Sequence, residues 1–332
     1  MKHILSLGAG VQSSALALMA TASEIEPMPD AAIFADTESE PQSVYDWLDW
    51  LEPRLPFPVY RVSAGSLERS ALEMKTTTDG RLYSRTAVPV FTQNTHTGEV
   101  GKVPLRTCTR DYKIRPIIKQ TRRIAGRDAI VQWRREQRAN LDQWNAYQDY
   151  LTQAAKARTA AKKAMPLLTG EPIARPPARI PFPAEAWAAM QSAALVCQWI
   201  GISLDEITRA KPSREPWIRH RHPLIEKRLD RQACLDWMAD RGYPPPPRSA
   251  CYFCPFHSLD EWRRLRDDEP AEFARAVEFE RTLQDRKGRS ANRRTVEYLS
   301  RYCVPLDQLE LDQPDDQGGL LWTDECEGMC GV

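Results

Sequence analysis

The sequence predicts an α/β protein on a doubly wound, mostly parallel sheet, and three stretches predict it. Residues 2–20 run from an apolar strand around Ile4 and Leu5, through a Gly/Ser turn, into a helix carrying Leu16, Leu18 and Met19. Residues 30–36 (DAAIFAD) read as a second buried strand ending on a carboxylate, and residues 58–62 (PVYRV) as a third. Between them Val44, Leu48 and Leu51 recur at helical spacing. This βαβαβ rhythm gives parallel strands.

The first turn points to an anion. Gly8 and Gly10 permit a tight bend and Ser13 or Ser14 can cap the helix, so backbone N–H groups would face outward at a helix N-terminus, where phosphate binds. The turn has no Gly-Lys-Ser/Thr ending, which excludes a Walker loop, and Ser13 stands where a dinucleotide fingerprint needs its last glycine. What remains is S-x-G-x-G-x-x-S-S over residues 6–14, with Ser6, Gly8, Ala9, Gly10, Gln12, Ser13 and Ser14 as candidate ligands. Ligands of open α/β sheets collect beyond the carboxyl ends of the strands, which places Asp36 and Thr37 at the same crevice.

Composition bounds the rest. At 332 residues, 42% hydrophobic and 27% charged, the chain has the profile of a soluble globular protein, and no stretch approaches the ~20 apolar residues of a membrane span. Gln12, Ser13, Ser14 and two glycines interrupt what would otherwise mimic a signal peptide, so a cytoplasmic location is expected. Eight cysteines in such a chain argue for metal or redox chemistry over a disulfide framework. The net charge of +1 conceals segregation: residues 106–138 hold eleven Lys/Arg against three acids, and residues 209–231 hold eight against three. Such runs suit a polyanion, although solvated helix faces also produce them.

Four regions follow: an α/β half over 1–125, a helical insertion with a Pro-rich linker over 126–190, the rest of the α/β core over 191–250, and a cysteine-bearing helical region over 251–332. Residues 66–105 read as a long mobile loop over the crevice. Cys108 precedes a helix bearing Arg110, Lys113 and Arg115, a positive field that favours thiolate. The α/β pattern returns as a strand over residues 193–203, with Cys197 in its apolar run and Gly201 near its end. His220 and His222, two apart, have the spacing of metal ligands in a strand, but their basic neighbours favour a solvated loop. Cys234 belongs to the apolar face of a short helix over 230–240. Then Cys251-Tyr-Phe-Cys254 sets two thiols on one turn, which suits zinc, an iron–sulfur cluster or a redox pair. Cys108 is the best partner for them within the chain.

With these pieces in order, the chain resembles the phosphoadenosine phosphosulfate reductase-like family of PP-loop ATP pyrophosphatases, whose fold is the adenine nucleotide alpha hydrolase-like one. The likeness spans nearly the whole length outside the insertion and rests on residues 6–14, 34–37, 108–116, 199–206, 223–226, 251–254 and Glu325-Cys326. It implies ATP or a sulfonucleotide with Mg²⁺ at Ser6–Ser14, Asp36 and Thr37, with Arg110, Lys113, Gly201 and Arg209 around the phosphates. It also implies a [4Fe–4S] cluster on Cys108, Cys251 and Cys254. The Cys-Cys pair of cluster-bearing members is reduced here to Cys108-Thr109, so the fourth ligand is open: Cys330 or Cys326 can supply it, or the fourth iron can stay free to hold a sulfur or substrate atom. Sulfonucleotide reductases end in a mobile Glu-Cys-Gly whose cysteine attacks sulfur; Glu325-Cys326 is similar, with Glu327 in place of glycine.

Three functions compete on this basis. In the leading one, an ATP pyrophosphatase adenylates a substrate oxygen and sulfur then displaces AMP, with Asp36 and Cys326 in catalytic roles, a nucleic-acid base as acceptor and a sulfur- or electron-donor protein as partner. The second is a thiol-dependent sulfonucleotide reductase. The third is a non-catalytic nucleic-acid-binding module with structural zinc. No membrane partner is expected, and a homodimer is allowed.

Overall fold

The computed structural model describes residues 1–76, 78–80, 82–84, 88–102, 107–164, 177–288 and 295–313. The chain opens with β1 (Lys2–Leu7), α1 (Val11–Thr21), β2 (Ala31–Asp36), α2 (Gln42–Leu51) and β3 (Val59–Ser63). Pairing is parallel in β1–β2, from Ile4 opposite Ala31 to Leu7 opposite Phe34, and in β2–β3. β2 is buried along its apolar run, as a strand covered on both faces must be. β3 is largely exposed, and Arg61 pairs there with Asp49 and Glu52, charges that protect a sheet edge.

The described residues of 66–105 carry secondary structure where the sequence suggests one long loop. They form α3 (Leu67–Leu72), β4 (Met74–Thr76), β5 (Leu82–Ser84), β6 (Phe91–Asn94) and β7 (Val100–Lys102). β4 and β5 pair antiparallel, as do β6 and β7. The polar cluster at 94–98 is a hairpin turn: Asn94 Oδ1 accepts from the His96 and Thr97 amides, and Gly98 takes φ +69°. A third strand, contributed from residue 295 onward, pairs with β6, a partner no local pattern announces.

After a π-helical turn over Thr109–Ile114 come α4 (Arg115–Ala125), α5 (Arg127–Glu136), α6 (Arg138–Ala164), α7 (Ala184–Ser192) and β8 (Val196–Ile200). A 3-10 turn over Leu204–Arg209 leads to β9 (Ile218–Arg221), α8 (Pro223–Glu226) and α9 (Arg231–Ala239). The chain then forms α10 (Leu259–Asp268), α11 (Pro270–Gly288) and β10 (Thr295–Tyr298). The main sheet has five strands in the order β3-β2-β1-β8-β9; β10-β6-β7 form a second, smaller one. The order reverses direction between β1 and β8, the switch point at which open α/β sheets place their ligands.

Contacts divide the chain into two compact units. The smaller takes residues 1–2, 122–197 and 212–220, and the larger takes 3–121, 198–211 and 221–332. The span expected as an insertion, 126–190, falls within the smaller unit, which also recruits 212–220. In that unit Trp133 Nε1 donates to the Ala193 carbonyl, Gln191 Nε2 donates to the carbonyls of Pro216 and Ile218, and Trp217 is buried. In the larger unit α1 packs on α8 and α9, and a second apolar core joins α3, Val88 and Val90 to α10, α11 and the Cys251–Phe253 turn. Phe253 stacks on Phe279 there with ring centroids 4.1 Å apart. Among the described residues no helix is long and apolar enough to cross a membrane.

Candidate functional site

The described candidates for nucleotide and cluster binding all lie in the larger unit, at the carboxyl edge of β1, β2 and β8. The turn after β1 is buried from Gly8 to Gly10, as are Ser6, Gln12, Ser13 and Ser14. Its left-handed residue is not a glycine: Ala9 takes φ +62°, while Gly10 is extended at φ −92°. The expected serine cap does not form, because α1 starts at Val11 with Gly10 as its N-cap and no side-chain hydrogen bond there. Ser13 Oγ instead accepts from the Gly8 amide, and Ser14 Oγ accepts from Trp47 Nε1 at 2.9 Å. The start of α1 is therefore buried, uncapped and free of acidic residues in its first turn, the surroundings that favour an anion.

Two buried amides stand behind this turn. Gln12 Nε2 lies 3.4 Å from both Ser203 Oγ and Glu206 Oε2, tying α1 to the loop after β8 that begins with Gly201. Gln198 in β8 donates to Ser6 Oγ at 2.7 Å, so Ser6 is held within the sheet layer. Arg209, placed by the sequence near phosphate, is paired with Glu206. Arg110 is exposed and paired with Asp111 at 3.0 Å.

Beyond β2 the chain turns toward sulfur. Asp36 Oδ1 accepts from the Glu38 amide at 2.7 Å and from the Tyr45 hydroxyl at 2.8 Å, and Glu38 adopts φ +55°. Burial, then the Asp36 carboxylate, pushes the Tyr45 hydroxyl pKa up, so Tyr45 stays a donor. Thr37 points away from solvent: its Oγ1 lies 3.3 Å from Cys251 Sγ and 3.2 Å from Glu40 Oε1. Cys108, Cys251 and Cys254 share a cavity of about 30 Å³ with Thr37, Lys113 and apolar residues that include Val88 and Phe256. That space is narrower than a nucleotide and holds about two waters.

Glu40 is the residue that sequence reasoning passed over. Its side chain is fully buried, its Oε1 lies 3.2 Å from Lys113 Nζ and 3.9 Å from Cys251 Sγ, and its Oε2 has no hydrogen-bond partner among the described residues. Nothing in an acidic stretch from Asp36 to Glu52 singles it out; only its position three residues after Thr37 does. Lys113, expected to offset phosphate charge, meets the Glu40 carboxylate beside the thiols. Burial first, and then the Glu40 charge, raise the Cys251 thiol pKa well above its ordinary value, while Lys113 and the Thr37 hydroxyl pull the other way. Without a metal Cys251 is therefore a neutral thiol.

The C-x-x-C segment is a compact turn, with the Cys254 amide donating to the Cys251 carbonyl at 2.8 Å and His257 Nε2 lying 3.0 Å from the same oxygen. Among the described residues no set of three or more His, Cys, Asp and Glu side chains could hold a metal ion. A single ion needs its donors about 2.0–2.3 Å from one point, whereas each cysteine of a [4Fe–4S] cluster binds a different iron, which sets the sulfurs farther apart. Cys108, Cys251 and Cys254 line one cavity and are the described thiols from which either kind of site would draw its ligands.

Cys326 and Cys330 lie outside the described residues. Cys197 and Cys234 are fully buried core residues. His220 and His222 are not in a solvated loop: the first is in β9 and the second is the N-cap of α8, where burial lowers the His222 pKa. No family model, curated protein or solved structure matches the chain.

Proposed function

We propose that this chain is an ATP-dependent enzyme of the PP-loop type that activates a substrate oxygen by adenylation and brings sulfur to the activated carbon. The observation that carries the reading is the 3.3 Å contact of Thr37 Oγ1 with Cys251 Sγ. It joins the loop after β2, at the edge where a nucleotide would lie, to the cavity that holds Cys108 and Cys254. The cradle and the thiols therefore belong to one edge of one unit, as coupled activation and sulfur chemistry require.

In this reading the uncapped start of α1 takes the phosphates of ATP, and Asp36 at the end of β2 takes Mg²⁺ or the nucleotide. The substrate oxygen attacks the α-phosphorus and pyrophosphate leaves; the outer sulfur of a donor-protein persulfide then displaces AMP, and a second thiol of that donor cleaves the resulting S–S bond, leaving a donor disulfide and the sulfur on the substrate carbon. A [4Fe–4S] cluster, held by Cys108, Cys251 and Cys254 with a fourth ligand from elsewhere, would supply a site that binds or delivers sulfur. Around it Lys113 and Glu40 hold a fixed charge pair, and Thr37 can reorient its hydroxyl from the carboxylate to a thiolate. A nucleic-acid base is the proposed acceptor.

Anaerobic purification followed by iron and zinc analysis and a pyrophosphate-release assay tests this. Bound iron together with ATP-dependent pyrophosphate release supports it. Zinc at one per chain without iron favours a structural-metal module, and sulfite release from a sulfonucleotide without ATP cleavage favours the reductase. A chain that binds neither ATP nor iron overturns the proposal.

A further inference from the structure

The smaller unit holds 15 of the 46 Lys/Arg and seven of the 45 Asp/Glu, a net charge of +8 that leaves −7 on the larger unit. In the larger, Arg61, Arg241, Arg264, Arg266, Arg275 and Arg281 are each bridged to carboxylates. In the smaller, Arg127, Arg134, Arg135, Lys156, Arg158 and Arg179 are exposed and have no carboxylate within bridging distance among the described residues. Unpaired cations on a unit of this charge are the electrostatic footprint of a polyanion site.

Their placement is regular. On α5, Ile130 and Trp133 face inward, while Arg127, Val131, Arg134 and Arg135, spaced i, i+4, i+7 and i+8, share the outward face. Val131 is 41% exposed in the midst of those cations. Next to this basic helix in sequence, α6 presents Trp144, Tyr147 and Tyr150 at three-residue spacing, all partly exposed. Trp144 packs at 4.5 Å on Trp187 and edge-on at 6.1 Å against Phe182, and Tyr147 meets Phe182 at 5.6 Å. Phe182 is 47% exposed, so about half of this side chain remains open to solvent beside Trp144, Tyr147 and Trp187.

We infer that the smaller unit is a docking surface for single-stranded nucleic acid, with the cations of α5 and α6 on phosphates and Phe182 as a stacking platform for an unpaired base. Charge complementarity selects a polyanion, and an exposed ring on an aromatic base selects one whose bases are free to stack, a need that duplexes and acidic polypeptides do not meet. The inference deepens the reading of a nucleic-acid acceptor by locating where such a chain is held. Binding measured without ATP or metal separates it from the catalytic proposal, since either can fail alone.

The test is fluorescence anisotropy of the full-length protein with a labelled single-stranded 20-mer of DNA and one of RNA, a duplex of the same sequence, and polyglutamate as competitor, across a salt series. Single strands are expected to bind more tightly than the duplex, with an affinity that falls with salt. The R127Q/R134Q/R135Q variant should lower the log–log salt slope by about 2, at roughly 0.7 for each phosphate no longer neutralised. Phe182→Ala should weaken binding about tenfold with the slope unchanged, as loss of one base–aromatic stack does. These side chains are exposed and unbridged, and a second variant, K156Q/R158Q, should act in the same direction as the first. Equal binding of duplex, displacement by polyglutamate at equal charge, or a salt slope unmoved in both cation variants overturns the inference. Preference for DNA or for RNA identifies the source of the strand.

Discussion

Replacing Lys113 with methionine isolates the buried charge pair beside the thiols. With Nζ 3.2 Å from Glu40 Oε1 and the side chains only 6% and 0% exposed, the attraction at an effective dielectric near 20 is about 5 kcal/mol. Removing the lysine withdraws that attraction and leaves a carboxylate in a site where Oε2 already lacks a partner. Buried pairs broken this way lose roughly 3–5 kcal/mol. The double variant E40Q/K113M removes both charges at nearly constant volume and should return to within about 1–2 kcal/mol of the parent. Urea unfolding of the parent, the two single variants and the double variant gives the coupling energy directly. A loss below about 1 kcal/mol in K113M, as seen for exposed pairs, would show that solvent reaches the pair and would refute the burial argument.

Two further outcomes follow from the same neighbourhood. Because burial and the Glu40 charge hold Cys251 as a thiol, its alkylation by iodoacetamide in metal-free protein should be slow at neutral pH; Glu40→Gln should speed it, read by mass spectrometry of the peptide. His257 is pushed well below the ordinary histidine range, first by burial and then by the Arg248 charge. The unfolded chain then binds a proton that the native state refuses, so stability is full above about pH 6.5 and is lost as pH falls below it. His257→Gln keeps an N–H donor for the Cys251 carbonyl and should flatten the dependence of the urea midpoint on pH between about 6.5 and 5; an unchanged slope would assign the acid sensitivity elsewhere.

Elements with an unbroken hydrophobic run were legible in the sequence, whereas features set by distant partners were not. β1, α1 and β2 declare themselves because Ile4, Leu5 and the Ala31–Ala35 run are buried from both sides. Cys108 could be matched with Cys251 and Cys254 because chemistry, and not periodicity, links them. Glu40 was hidden among other acids, since its role depends on a lysine far along the chain. The strands between 74 and 102 are three or four residues long, too short for alternation to register, and β6 takes one neighbour from beyond residue 294. In the first turn the glycines drew attention to themselves, yet Ala9 carries the left-handed conformation that costs a side-chain-bearing residue about 1–2 kcal/mol.

The way the smaller unit is assembled bears on how it can be excised. Its first long stretch leaves off at Cys197, and the main chain departs for fourteen residues before Pro212–His220 comes back to finish the job. The Leu195 amide donates to the Trp217 carbonyl at 3.0 Å, and Arg122 reaches Glu215 and lies over the Trp217 ring. Trimming a plasmid at the apparent borders of the helical segment would strip out the host of a tryptophan while leaving that tryptophan behind, exposed and adhesive. A fragment meant to stand alone should splice 122–197 to 212–220 through a short bridge, and a deletion meant to spare the larger unit should remove both pieces at once.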